Sequence, residues 1–216
     1  MKNINLISIS IISFFIVLGI ACQDQSKTGK KSDIALSEKK KQELTKILND
    51  VYQKDQEYRQ LYYSTTEKYG IRSAQMKELS SKMNKADALN LIVVKDIIKK
   101  YGWLSDKMVG ATGNSALFLV IQHSSEKDQE HFLPMMRKAA QNGAASKQDL
   151  AKLEDRVAID QGHKQTYGTQ VGMDEKSGKY YVFPIENPKE VDKRRAALGM
   201  IPIAAYLSQW QIEWEN

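Results

Sequence analysis

Two charged residues occupy positions that periodicity assigns to an apolar face. Leu44, Ile47, Leu48, Val51, Tyr52, Tyr58, Leu61 and Tyr62 recur at helical spacing, and Asp55 falls at the centre of that stripe with Arg59 one turn further on. An unpaired buried charge is costly, so such groups are paired, coordinated or functional. An Asp–Arg pair four residues apart on one helix is the purely structural reading. A second stripe, built from Met76, Leu79, Met83, Ala86, Val94, Ile97, Ile98 and Tyr101, is interrupted by Asp87 and Asn90. Neither has a cation at helical spacing. Both therefore call for a donor from another segment, and Arg156, Arg194 and Arg195 are candidates because a guanidinium can satisfy a carboxylate with two bonds.

His123 directly follows the apolar run Ala116 to Ile121 and Gln122, so it emerges from the core at the end of an element. A histidine so placed, with a carboxylate near it, has the makings of a general acid or base; the alternative is a core histidine bonded to a carbonyl. His131 lies among Glu130, Lys127 and Arg137 on a charged helix, and His163 enters a loop. The three histidines show none of the short-range ligand spacings of zinc sites, so neither a metal nor a cofactor is expected. No Gly-x-Ser-x-Gly elbow or Ser-x-x-Lys marks a serine enzyme. The stretch GHKQTYGTQV, Gly162 to Val171, concentrates hydrogen-bonding side chains. Gln165, Thr169 and Gln170 are candidate ligand contacts and Tyr167 a candidate proton donor.

The elements that must position these residues are mainly helical. Ser37 caps a helix expected to reach Tyr63, and Ser73 opens one to Tyr101 that Gly102 closes. Asn114 or Ser115 starts a helix ending near Gln122-His123. Another covers Glu126 to Gln141, with Pro134 breaking or kinking it, and Ser146 with Asp149 opens one to Asp160. From Gln165 to Val171 the period changes to two, and Tyr180 to Ile185 supplies a partner strand. Asn187-Pro188 opens a helix closed by Gly199, and Pro202 opens a last one whose Ile203, Leu207, Trp210 and Trp214 share a face. The expectation is a single mainly α domain of about six to eight helices with one β-hairpin before the C-terminal helices.

The chain has 216 residues, 42% of them apolar, enough for one domain with a real core. Its formal charge of +6 comes from signs mixed along nearly every segment, with no basic stripe interleaved with aromatics, so nucleic acid is not an expected partner. Lys2 precedes an uncharged, mostly apolar run from Leu6 to Ala21, shorter than the roughly 20 residues a membrane-spanning helix needs. Residues 1–21 thus read as a signal peptide. The run ends at Gly19-Ile20-Ala21-Cys22, which resembles a bacterial lipobox, with Leu18 one place further back than usual. Cys22, the sole cysteine, would carry lipid, residues 22–36 would form a flexible tether and residues 37–216 the domain. The membrane, reached through that lipid, is the expected partner, and the expected location is the cell envelope, periplasmic or surface-facing.

Asp55-Gln56-x-x-Arg59, Asp87-x-x-Asn90, Tyr101-Gly102-Trp103, Gln122-His123, Asp155-Arg156, the Gly162 to Gln170 stretch and Arg194-Arg195-x-x-x-Gly199 together resemble an uncharacterised bacterial family, a domain of unknown function. The resemblance runs from about Glu43 to Leu207, with Asp-Arg followed by Gly-x-x-Gln-x-Tyr-Gly-Thr-Gln as its tag. It implies no reaction. Relatives often carry an acid two places after the histidine, where this chain has Ser125, and Leu after the closing glycine, where it has Met200; the first departure removes a carboxylate beside His123 from its own loop. The functional expectation is a polar cleft formed by Asp55, Arg59, Asp87, Asn90, His123, Arg156, Gln165, Tyr167, Thr169, Gln170 and Arg195, binding or hydrolysing a polar or anionic ligand or peptide. The alternative is a non-catalytic structural or interaction module whose buried polar network only fixes the fold.

Overall fold

The structure, a computed structural model, describes residues 36–174 and 177–215. The expected signal peptide, Cys22 and nearly all of the expected tether lie outside the described residues. Ser37, in extended conformation, accepts a bond from the Lys40 N–H and opens α1 (Glu38–Glu57). The helix stops short of Tyr63. Tyr58 caps it, a 3-10 turn spans Arg59–Leu61, and α2 (Tyr62–Tyr69) follows. The Arg59 side chain supplies a reason, because its Nη1 donates over 2.6 Å to the Asp55 carbonyl, one of the terminal acceptors that a helix leaves open.

α3 (Ala74–Tyr101) begins at its Ser73 cap and ends at Gly102, as periodicity implies. α4 (Asp106–Gln122) starts earlier than expected. Gly110, at φ 73° and ψ 165°, joins an extra first turn to the main helix across a kink, a conformation glycine tolerates readily. Asn114 is therefore not a cap but an interior residue, and its amide donates to the carbonyls of Leu104 (2.6 Å) and Ala144 (2.8 Å). α5 (Glu126–Gln141) runs through Pro134 without a break. Pro134 and Glu130 lie on the exposed face, so the Glu130 carbonyl that proline leaves without a donor can be met by water. α6 (Lys147–Asp160) follows the Ser146 cap.

The principal core is built where α1, α3 and α4 meet and continues between α5 and α6. Leu48, Val51, Val94, Ile97, Leu117, Ile121, Phe132, Met136 and Leu153 are among its buried side chains. α4 is the central element: Ala116, Leu117, Phe118, Val120 and Ile121 are all buried, which explains a segment apolar on every side. His123 caps this helix, so its backbone follows directly from a buried segment of the core.

The hairpin is shorter than the alternation suggested. β1 (Val171–Met173) pairs antiparallel with β2 (Tyr180–Val182), Val171 opposite Val182. Residues from Gln165 to Gln170 form a loop, tied to the second arm by Gln165 N–H to the Pro184 carbonyl and Glu186 N–H to the Gln165 carbonyl, both 2.9 Å. After a 3-10 turn at Pro188–Glu190 come α7 (Val191–Ala197) and α8 (Ile203–Leu207). Ile185, Val191, Ile203 and Leu207 make a second, smaller core, with Val182, Tyr206, Trp210 and Trp214 packed against it. The helix ends before Trp214, but the shared apolar face read from the sequence is retained as packing.

Gly168 links this small core to the loop. It has φ 69°, and a Cβ there would lie 2.6 Å from Ile203 Cδ1 and 2.7 Å from Ile185 Cδ1. The left-handed conformation costs a non-glycine residue ~1–2 kcal/mol and overpacking a core costs ~1–3 kcal/mol. Gly168→Ala should therefore lose ~2–5 kcal/mol in urea denaturation. A loss below ~0.5 kcal/mol, the range of an indifferent surface change, would contradict this packing.

Candidate functional site

Asp55 is sealed from solvent at 1% exposure. Its Oδ1 lies 2.9 Å from His123 Nδ1 and its Oδ2 accepts a 2.7 Å bond from Gln56 Nε2. Arg59 spans the gap to α3, with Nη1 3.4 Å from Asp55 Oδ1 and Nη2 2.8 Å from Asp87 Oδ2. The side chains of His123, Arg59 and Asp87 keep 23%, 18% and 19% of their surface, so the buried carboxylate stands behind three groups that water reaches. Asn90 is buried beside them and donates to the Val51 carbonyl at 3.3 Å. Arg59, and not Arg156, Arg194 or Arg195, is thus the cation that answers Asp87.

Burial pushes the Asp55 carboxyl up, but the hydrogen bond and charge of His123, the Arg59 guanidinium and the Gln56 amide outweigh it and hold the group below its ordinary value. An ionised Asp55 accepts, so His123 must present Nδ1–H to it, and in the neutral ring Nε2 keeps its lone pair. A carboxylate fixing one imidazole nitrogen while the other stays free to take or give a proton is the arrangement general acid–base chemistry requires. The acid comes from α1, 68 residues away in sequence, and not from the loop after the histidine. Ser125, two places after the histidine, caps α5.

Ligating atoms of Asp55, Asp87 and His123 lie within 4.8 Å of one another, and among the described residues this is the set that could hold a metal ion. It was not apparent from local spacing because its members come from three helices. The Arg59 guanidinium already lies against both carboxylates and supplies the positive charge that a metal would otherwise bring.

The remaining candidate residues gather around a different carboxylate. Asp155, 1% exposed on α6, accepts from the N–H groups of Thr166 (2.7 Å), Tyr167 (3.0 Å) and Thr169 (3.0 Å) and from Thr169 Oγ1 (2.9 Å). Burial pushes its carboxyl up, the backbone donors pull it back, and the balance stays above the ordinary value. Gln165 donates to the carbonyls of Gln170 and Phe183 and accepts from the Gln170 N–H, while Gln170 Nε2 reaches the Lys152 carbonyl and Thr169 Oγ1. Arg195, 1% exposed, donates to the carbonyls of Ile201 and Tyr167, both at 2.7 Å, and stacks 4.7 Å from the Tyr206 ring. Arg194 holds the carbonyls of Thr166 and Glu186. Of the polar side chains in GHKQTYGTQV, Gln165 and Gln170 serve backbone groups that need partners in an irregular loop, and Thr169 joins Asp155 to Gln170.

Two residues complete the inventory. Burial lowers the Arg156 guanidinium, and its Nε is buried with no hydrogen bond. Burial, with Glu154 and Asp155 nearby, raises the Tyr167 phenol. The candidates thus form two polar clusters: Asp55, Arg59, Asp87 and His123 with Asn90 at one, and Gln165, Tyr167, Thr169, Gln170 and Arg195 at the other. Gln129 escaped the sequence reading, although it precedes Phe132, Leu133 and Met136 on the buried face of α5. A glutamine on that stripe was the available signal.

The depressed Asp55 carboxyl has a pH signature. Its contribution to stability is complete above the unfolded value of about 4 and is lost as pH falls through the lower folded value. The stability gap between the parent protein and Asp55→Asn should therefore shrink between about pH 4 and 2, measured by urea denaturation. A gap that widens over that acid range would mean that the neutral acid is the favoured form.

No curated protein and no solved structure matches this sequence. A family model described as a family of unknown function matches residues 41–212, from the first turns of α1 to just past the last 3-10 turn. Both polar clusters lie within that span, and the chain belongs to the Family of unknown function (DUF6624).

Proposed function

We propose that this protein is an exported cell-envelope lipoprotein, held to the membrane by lipid on Cys22, that binds a polar ligand at the mouth of the Asp55–His123 pair and uses His123 as general base or acid on it. One observation carries the reading: a fully buried carboxylate sits 2.9 Å from Nδ1 of a histidine that is itself partly exposed. Asp55 orients the ring, Nε2 exchanges the proton, and Arg59 with Asp87 forms the polar rim. Two carboxylates and one guanidinium leave the cluster with one formal negative charge when the imidazole is neutral, which favours a neutral or hydrogen-bond-donating ligand over a strongly anionic one.

The non-catalytic alternative has its own support at the second cluster. There the side chains of Gln165, Thr169, Gln170 and Arg195 are committed to backbone or to one another, as in a network that fixes a loop. Under this proposal those residues shape the fold and the Asp55–His123 cluster carries the activity.

A thermal-shift screen of the full chain against envelope sugars, peptides and nucleotides tests it. A ligand present at about 100 times its Kd stabilises by ~2.7 kcal/mol, roughly 5–10 °C in Tm for a chain of this size. His123→Ala should still unfold cooperatively but lose the shift. If no compound moves the parent protein, or if the shift survives in His123→Ala, the pair is not a ligand site.

A further inference from the structure

The backbone that carries His123 is gripped by one buried side chain. Gln129, 4% exposed in the first turns of α5, sends both bonds of its amide nitrogen to carbonyls that flank the histidine: Gln122 at 3.1 Å and Ser124 at 2.9 Å. These carbonyls lie at the end of α4, where intrahelical donors run out. Backbone bonds from His123 N–H to the Leu119 carbonyl and from Ser124 N–H to the Ile121 carbonyl bring the chain this far, and Gln129 fixes it on either side of the ring-bearing residue. The turn is also held from outside, where Lys95 on α3 pairs with Asp128 on α5. Gln129 Oε1 is buried without a hydrogen-bond donor, so the side chain tolerates an unmet acceptor while its nitrogen holds both carbonyls.

We infer that Gln129 is a positioning residue for His123, setting the α4–α5 turn so that Nδ1 meets Asp55 while the ring stays partly exposed. This rests on the proton-transfer role proposed for His123. The bonds of Gln129 go to the two carbonyls and not to Asp55 or the ring; it acts through the backbone between them.

The molecule contains a matched control. Asn114, on α4, the helix that His123 caps, also bridges two carbonyls, those of Leu104 and Ala144, and does so away from His123. Replacing either amide by leucine removes two bonds of the same kind, yet only one replacement should disturb the imidazole. The measurement is the long-range proton–nitrogen correlation of full-length protein labelled with nitrogen-15 in its three histidines, with His123→Gln assigning the signal. The parent protein should show His123 protonated at Nδ1, with slow solvent exchange of that proton. Gln129→Leu should speed that exchange by at least about tenfold, a loss of ~1.4 kcal/mol of protection, whereas Asn114→Leu should leave it unchanged. Gln129→Asn, which keeps a shorter amide, should fall between them and serves if the leucine variant fails to fold. Unchanged exchange in the Gln129 variants, or an equal effect of Asn114→Leu, overturns the inference while leaving the Asp55–His123 pair intact. Absence of the Nδ1 proton in the parent protein overturns both.

Discussion

A carboxylate removed from water at the meeting of three helices has to be met by donors, and around Asp55 that requirement organises the molecule. Ionised and 1% exposed, Asp55 draws a histidine from the end of α4, an amide from its neighbour Gln56 and a guanidinium from the turn after α1. Arg59 then brings in Asp87, so that α1, α3 and α4 are joined by charge as well as by apolar packing. Breaking a buried pair by removing one partner costs several times what an exposed pair contributes, which is why these groups constrain one another so tightly.

Asp155 presents the same physical problem with a different answer. Its donors are three backbone N–H groups and a threonine hydroxyl, so the carboxylate serves as a template around which an irregular loop closes. None of those donors is a histidine. At Asp55 the strongest partner is a titratable ring that touches water. The two acids are equally buried, and they differ in whether their partners are backbone groups or a titratable side chain.

Much of the helical framework was legible because its signals are local. The serines at 37, 73 and 146 open helices, and the apolar stripes of α1 and α3 face the core. The anomaly of Asp55, Arg59 and Asp87 on those stripes was legible for the same reason. What was not legible depends on distance. The alternation from Gln165 to Val171 has the period of a strand, yet Asp155 captures its N–H groups before a partner strand can. The α1 stripe continues past Glu57 in sequence although the backbone does not, because Arg59 turns back on the Asp55 carbonyl. That Asp87 is answered by Arg59 and not by a C-terminal arginine follows from how α1 and α3 cross, which no periodicity records.

The direct test of the central interaction is a double-mutant cycle between Asp55→Asn and His123→Gln, followed by urea denaturation at neutral pH. A charge-assisted bond between a buried carboxylate and the ring should give a coupling energy of ~1.5–3 kcal/mol. Additivity within ~0.5 kcal/mol would show that the two groups are neighbours without an interaction, and would contradict the account of how this site is held and what it does.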